Sequence, residues 1–87
     1  MPQGRTLKIR VLAFARLREL LGFSSRELDV DDGATVADVW ARLAREVAGL
    51  DGLRASTRFA RNGALAAATV AVRDGDEIAL LPPVGGG

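Results

Sequence analysis

The chain contains no cysteine and no histidine. Their absence removes disulfides, thiolate nucleophiles, imidazole acid–base catalysis and the usual zinc sites together. Lysine is reduced to Lys8, against eleven arginines, so reactivity is left to carboxylates, hydroxyls, that one amine and the C-terminus. No apolar run approaches the roughly 20 residues of a membrane span. A formal net charge of +1 gives no electrostatic footprint for nucleic acid or an anionic membrane. Met1 to Arg5 lead into a short strand and not into the apolar stretch of a signal peptide, so the expected location is cytoplasmic.

What is present suits one small domain. At 87 residues, 48% hydrophobic and 26% charged, the composition is that of an ordinary globular protein with a small core. Thr6 to Phe14 alternates, with Leu7, Ile9, Val11 and Ala13 on one face; the other face turns apolar at Leu12 and Phe14. Ala15 to Leu21 holds strong helix formers, and Gly22 stands where a left-handed cap belongs, so a helix of about two turns is expected. Ser25 to Val30 is a second strand with Leu28 and Val30 inward, closed by an Asp31-Asp32-Gly33 turn.

Thr35 with Asp38 three residues on approximates a capping box. Val36, Val39, Trp40, Leu43 and Val47 follow at helical spacing, with Asp38–Arg42 and Arg42–Glu46 as i,i+4 pairs and Gly49 as the stop. Leu50 to Thr57 reads as a connection with one helical turn. Arg58 to Arg61 is a short strand, Asn62-Gly63 a tight turn, and Ala64 to Thr69 is left open between strand and turn. Arg73-Asp74-Gly75-Asp76 turns the chain into a last strand, Glu77 to Leu81.

The expected architecture is therefore α+β, a mixed sheet of four to five strands packed on one main helix with a short extra helix. The first and last strands are the most apolar, which places them centrally and in parallel, the β-grasp (ubiquitin-like) arrangement. Residues 1–81 would form the domain and residues 82–87 an extended tail.

Internal sites are poorly supported. Asp74-Gly75-Asp76-Glu77 lacks the spaced oxygen ligands of a calcium loop, and the terminal glycines have no following helix that would make them a phosphate loop. Thr35 and Asp38 cap a helix, and Phe14, Phe23, Phe59 and Trp40 have the spacing of a small core. Arg54, Arg58 and Arg61 lie around Phe59, where a solvated face is the default reading over RNA binding. No metal site is expected.

The remaining distinctive stretch is Pro82-Pro83-Val84-Gly85-Gly86-Gly87. Two prolines end strand pairing and send the chain outward; the glycines carry no side chain and pass slots closed to residues with a Cβ. A frayed end or an appended linker has the same composition, so the tail alone leaves both readings open. If it is functional, its group is the carboxylate of Gly87, a poor electrophile until ATP converts it to an acyl-adenylate that sulfur or an amine can attack.

Phe14-Ala15-Arg16-Leu17-Arg18-Glu19-Leu20-Leu21-Gly22, Asn62, Asp74-Gly75-Asp76-Glu77 and Pro82 to Gly87 occur in an order that resembles the small subunit of molybdopterin synthase, a ubiquitin-like β-grasp sulfur-carrier family. The resemblance runs from about Lys8 to Gly87 and implies a role in molybdenum cofactor biosynthesis. Gly87 would be adenylated by a ubiquitin-activating-type enzyme using ATP, this chain binding no cofactor of its own. A sulfurtransferase or cysteine desulfurase would supply sulfur for a thiocarboxylate, which donates it to cyclic pyranopterin monophosphate inside the large synthase subunit, as part of a heterotetramer. Phe14, Leu81, Pro82, Pro83, Val84, Gly85 and Gly86 would bind partners. Gly85 departs from the family, which often has a side chain there. The alternatives are a thiamine-type sulfur carrier, whose family generally lacks the Phe14 segment and Pro-Pro-Val, a ubiquitin-like protein modifier, and an interaction module with an unmodified tail.

Overall fold

A computed structural model of the chain describes residues 5–83. The elements run β1 (Thr6–Ala13), α1 (Ala15–Leu21), β2 (Ser25–Asp31), α2 (Val36–Glu46), a 3₁₀ segment (Leu50–Ser56), β3 (Arg58–Arg61), β4 (Ala64–Ala66) and β5 (Glu77–Leu81). Among the described residues the five strands form one mixed sheet in the order β2-β1-β5-β3-β4. Only β1 and β5 are parallel, in the register Val11↔Ile78 and Ala13↔Leu80; the other pairs are antiparallel. This is the β-grasp arrangement expected from the apolar character of the first and last strands.

The period-2 pattern of β1 sorts its side chains as anticipated. Leu7, Ile9, Val11 and Ala13 are buried, and they meet Ile78 and Leu80 of β5, Leu28 and Val30 of β2, and Phe59 of β3 in one core. α2 closes that core with Val36, Val39, Trp40 and Leu43, all buried. Burial of each large aliphatic side chain contributes roughly 1.5–3 kcal/mol, so four positions on one helix face hold α2 to the sheet more strongly than helix propensity does. Trp40 solves its polar problem locally: its indole N–H donates to Asp51 at 3.1 Å, while its ring meets the edge of Phe59 at 6.0 Å.

The capping box forms in full. Thr35 Oγ1 accepts from the Asp38 N–H at 3.2 Å, and the Asp38 carboxylate accepts from the Thr35 N–H at 2.9 Å. This corrects the expected Asp38–Arg42 pair, because the carboxylate is held back at the helix start. Arg42 instead donates to the Asp29 carbonyl and lies 3.8 Å from Glu46. Gly49 also differs from expectation. The helix ends at Glu46, its cap Val47 is extended (φ −126°), and Gly49 at φ 89° caps the start of the 3₁₀ segment. The backbone needs no glycine to leave a helix in the extended direction, but the reversal into the next segment needs a left-handed residue.

Asn62 connects the sheet's short hairpin to its central strand. Asn62 and Gly63 both have positive φ, 53° and 87°, the two left-handed residues a tight hairpin requires. The Asn62 N–H donates to the Glu77 carbonyl at 2.8 Å, its side-chain carbonyl accepts from the Glu77 N–H at 2.9 Å, and its Nδ2 donates to Asp76 at 2.9 Å. Asp76, 7% exposed, also accepts from the Arg73 N–H at 2.8 Å. These bonds fix where β5 begins and therefore its register against β1. Asn62→Ala should lower unfolding free energy by about 1–3 kcal/mol in urea, from the lost hydrogen bonds and the positive φ. Asn62→Gly, which keeps the backbone angle, should recover only part of that loss. Equal stability of Asn62→Gly and the parent would show that the side-chain bonds contribute nothing.

Candidate functional site

The candidate site lies where β1 and β5 end together. One residue beyond the last paired positions, Ala13↔Leu80, come Phe14 and Leu81, followed on the β5 side by Pro82 and Pro83. Leu81 and Pro82 are half-buried, while Pro83 is exposed. Val84, Gly85, Gly86 and Gly87, the rest of the expected site, lie outside the described residues.

Phe14 is held at a sharp corner. It is extended (φ −129°, ψ 154°), and its carbonyl accepts from the N–H groups of Leu17 and Arg18 at 3.1 and 3.3 Å, starting α1. Ala15 then takes φ 51°, a left-handed angle that costs a residue with a Cβ roughly 1 kcal/mol or more. Leu17 anchors the helix in the core, and Gly22, at φ 84°, donates to the Arg18 carbonyl to end it as foreseen. With both ends of this turn fixed, Phe14 is left 44% exposed. It is not part of the core, although its spacing was compatible with one; Phe59 and Trp40 are.

The sheet register adds residues that the linear pattern did not reveal. Leu12 pairs with Ala79, Ala79 with Ala60, and Ala60 with Leu65, so one row crosses four strands on the face away from α2. Leu65 is 69% exposed. The next row holds Leu81 opposite Arg58. Toward the other end of the same face the pairs become charged, with Lys8–Asp29 at 3.4 Å and Arg10–Glu27 at 3.7 Å. The face is thus polar at one end and apolar at the end where the chain leaves β5. Within it Leu65 is exposed, Leu12, Ala79 and Leu81 are half-buried and Ala60 is buried, and a contiguous apolar patch marks an interaction surface more readily than singly scattered residues do. The signal in the sequence was Leu12 and Phe14 on the wet side of β1; Ala60, Ala79 and Leu65 required the pairing to be known.

The other candidates resolve into structure. Asp74 accepts the Lys8 N–H at 2.8 Å and Asp76 holds Asn62 and Arg73, so the acidic turn is an internal brace. Among the described residues no three acidic side chains are grouped to hold a metal ion. A concavity of about 630 Å³ lies between β2 and α2, away from the tail, beside Asp31, Asp32 and Arg45. Its Asp38 and Arg42 already serve the helix cap and the Asp29 carbonyl. No helix of the described residues is long and apolar enough to cross a membrane. What remains among the described residues is the partly apolar face at the end where β1 and β5 finish.

The ThiS family matches residues 11–87. The molybdopterin synthase sulfur carrier subunit of Chlamydomonas reinhardtii is 34% identical over 83 residues, covering 93% of this chain and 100% of the relative. Small archaeal modifier protein 1 of Haloferax volcanii is 45% identical over 82 residues, 85% of this chain and 94% of the relative. A crystal structure of H. volcanii small archaeal modifier protein 1 superposes with a TM-score of 0.79 at 33% identity, over 90% of this chain and 99% of that one.

The exposure of Phe14 gives a direct test of its place outside the core. Phe14→Ala should change unfolding free energy by less than about 1 kcal/mol, whereas Phe59→Ala should cost about 3–5 kcal/mol. Comparable losses in denaturant titrations would return Phe14 to the core.

Proposed function

Since the chain belongs to the ThiS family, we propose that it is the sulfur carrier subunit of a molybdopterin synthase. The observation that carries this reading is the parallel pairing of β1 with β5. It starts the tail at Leu81, beside exposed Phe14 and the apolar row of Leu12, Ala79, Ala60 and Leu65, on a base braced by Asn62. The similarity to carrier subunits over nearly the whole chain supports it as well.

In this reading residues 1–81 are the domain and residues 82–87 the arm. The carboxylate of Gly87 attacks the α-phosphorus of ATP on a ubiquitin-activating-type enzyme, releasing pyrophosphate and leaving an acyl-adenylate. A persulfide sulfur supplied by a sulfurtransferase or cysteine desulfurase displaces AMP, and reduction of the resulting acyl disulfide by a thiol frees the thiocarboxylate. The sulfur of that group then passes to cyclic pyranopterin monophosphate in the large subunit, and water supplies the oxygen that returns Gly87 to a carboxylate; the dithiolene takes two such deliveries. This chain contributes no acid, base or metal to these steps. Its contribution is reach and position: Pro82 and Pro83 direct the arm outward, Gly85 and Gly86 let it pass a narrow channel, and Phe14, Leu81 and Leu65 seat the domain on the large subunit.

A second reading is favoured by the 45% identity to small archaeal modifier protein 1. There the same acyl-adenylate is attacked by an amine, and Gly87 ends in an amide on another protein. The two outcomes differ in mass.

Incubation with ATP, the activating enzyme and a sulfur source should convert the intact chain to a species heavier by the exchange of one oxygen for sulfur, while a chain lacking Gly87 keeps its fold and its mass. Conversion of the truncated chain, or amide-linked conjugates in place of the sulfur exchange, would overturn the carrier reading. Phe14→Asp and Leu65→Asp should each weaken binding to the large subunit at least about tenfold, consistent with charge placed in an apolar contact. Unchanged dissociation constants by calorimetry would remove these residues from the contact.

A further inference from the structure

Beside the apolar row, at the β4 edge of the sheet, lies a groove of about 380 Å³ bordered by Arg54, Arg58, Phe59, Leu65 and the Ala66–Ala68 segment. β4 is an edge strand: β3 flanks it on one side, and no strand among the described residues flanks the other. We propose that this groove docks an extended acidic segment of a partner protein, one whose carboxylates meet Arg54 and Arg58 and whose apolar side chain covers Leu65.

Four observations carry the assignment. Arg54 and Arg58 make no ion pair among the described residues, a state they share with Arg5, Arg16, Arg18, Arg45 and Arg73, but of these only Arg54 and Arg58 line the groove. The acidic residue nearest in sequence, Asp51, is engaged by the Trp40 indole. Arg54 is also pre-positioned, its guanidinium lying 4.8 Å above the centre of the buried Phe59 ring, so less side-chain freedom is lost when an anion binds it. Leu65 is 69% exposed within the same groove, giving a bound chain an apolar contact that a simple anion cannot use.

The charge pattern selects the sign of the occupant. Asp29, Asp31, Asp74 and Asp76 gather toward the opposite end of the sheet, where β2 ends and β5 begins, leaving the groove's own rim cationic. Strand addition to β4 would let backbone hydrogen bonds set the register while alternate side chains reach Arg58 and Leu65 on one side and Arg54 on the other. A nucleic acid fits less well, since the net charge is only +1 and the groove offers no aromatic face for stacking, Phe59 being already covered by Arg54. The groove adjoins the large-subunit contact proposed above, since Arg58 pairs with Leu81 and Leu65 belongs to both; Arg54 and the Ala66–Ala68 segment lie outside that contact, and the proposal holds whichever chemistry Gly87 undergoes.

The test uses the full chain with a short end-blocked peptide of alternating glutamate and leucine, followed by amide chemical shifts. Shifts should be confined to Arg54, Arg58 and residues 65–68, affinity should fall at least about tenfold in Arg58→Glu, and raised salt should weaken binding further. Arg58 is exposed, so its substitution leaves the fold intact; Arg54→Ala serves as a second variant, with its stability checked by Trp40 fluorescence. Any of five results would overturn the proposal: no shifts at millimolar peptide, shifts at Phe14 and Leu81 with none at Arg54 or residues 66–68, equal binding of a lysine–leucine peptide, equal binding by Arg58→Glu, or tighter binding of a short oligothymidylate.

Discussion

The pairing of β1 with β5 is the constraint from which the remaining arrangement follows. Two strands distant in sequence lie parallel at the middle of the sheet, so the connection between them must cross over one face, and α2 is the element that does so. The crossover buries Val36, Val39, Trp40 and Leu43 against that face and leaves the opposite one without a cover. It also makes the two strands finish side by side. Phe14 turns away into α1 beside the end of β5 at Leu81, so the proposed docking corner and the proposed arm share one origin. Had these strands been antiparallel, Phe14 and Leu81 would lie at opposite ends of the sheet.

Such a base has to keep its register, because a slip of one residue would exchange the faces of β5. Register is held at the start of β5, by Asn62 and Asp76, and at the end of β1, by the Phe14–Ala15 corner. Both devices are among the residues by which the chain resembles the carrier family, so a family motif can record the bracing of a sheet.

Much of this was legible in the residues, and the boundary of legibility has a physical form. Alternation in β1 and the helical spacing around Trp40 report burial directly, because the side-chain period is set by local geometry. The Thr35 cap and the Asn62-Gly63 turn are equally local. Two local roles compete at Gly49 and Asp38: Gly49 is a start where a stop is expected, and Asp38 makes the expected cap but not the expected pair with Arg42. Ala64 to Ala66 became strand only because β3 offered a ladder, since alanine itself favours no strand. The row from Leu12 to Leu65 is wholly non-local. Its members come from four strands, and only the register aligns them.

The central position of β5 also bears on how the molecule is made. During synthesis β1, β2 and α2 emerge from the ribosome with a gap where the middle of the sheet belongs, and Ile78 and Leu80, the side chains that fill it, arrive late. Until they do, β1 and β3 have no shared neighbour, and the core is open along its length. Completion of the fold is therefore deferred until after translation has passed the last strand. A chain ending before β5 would lack its sheet's centre, so the folded domain cannot form without the strand that runs to Leu81.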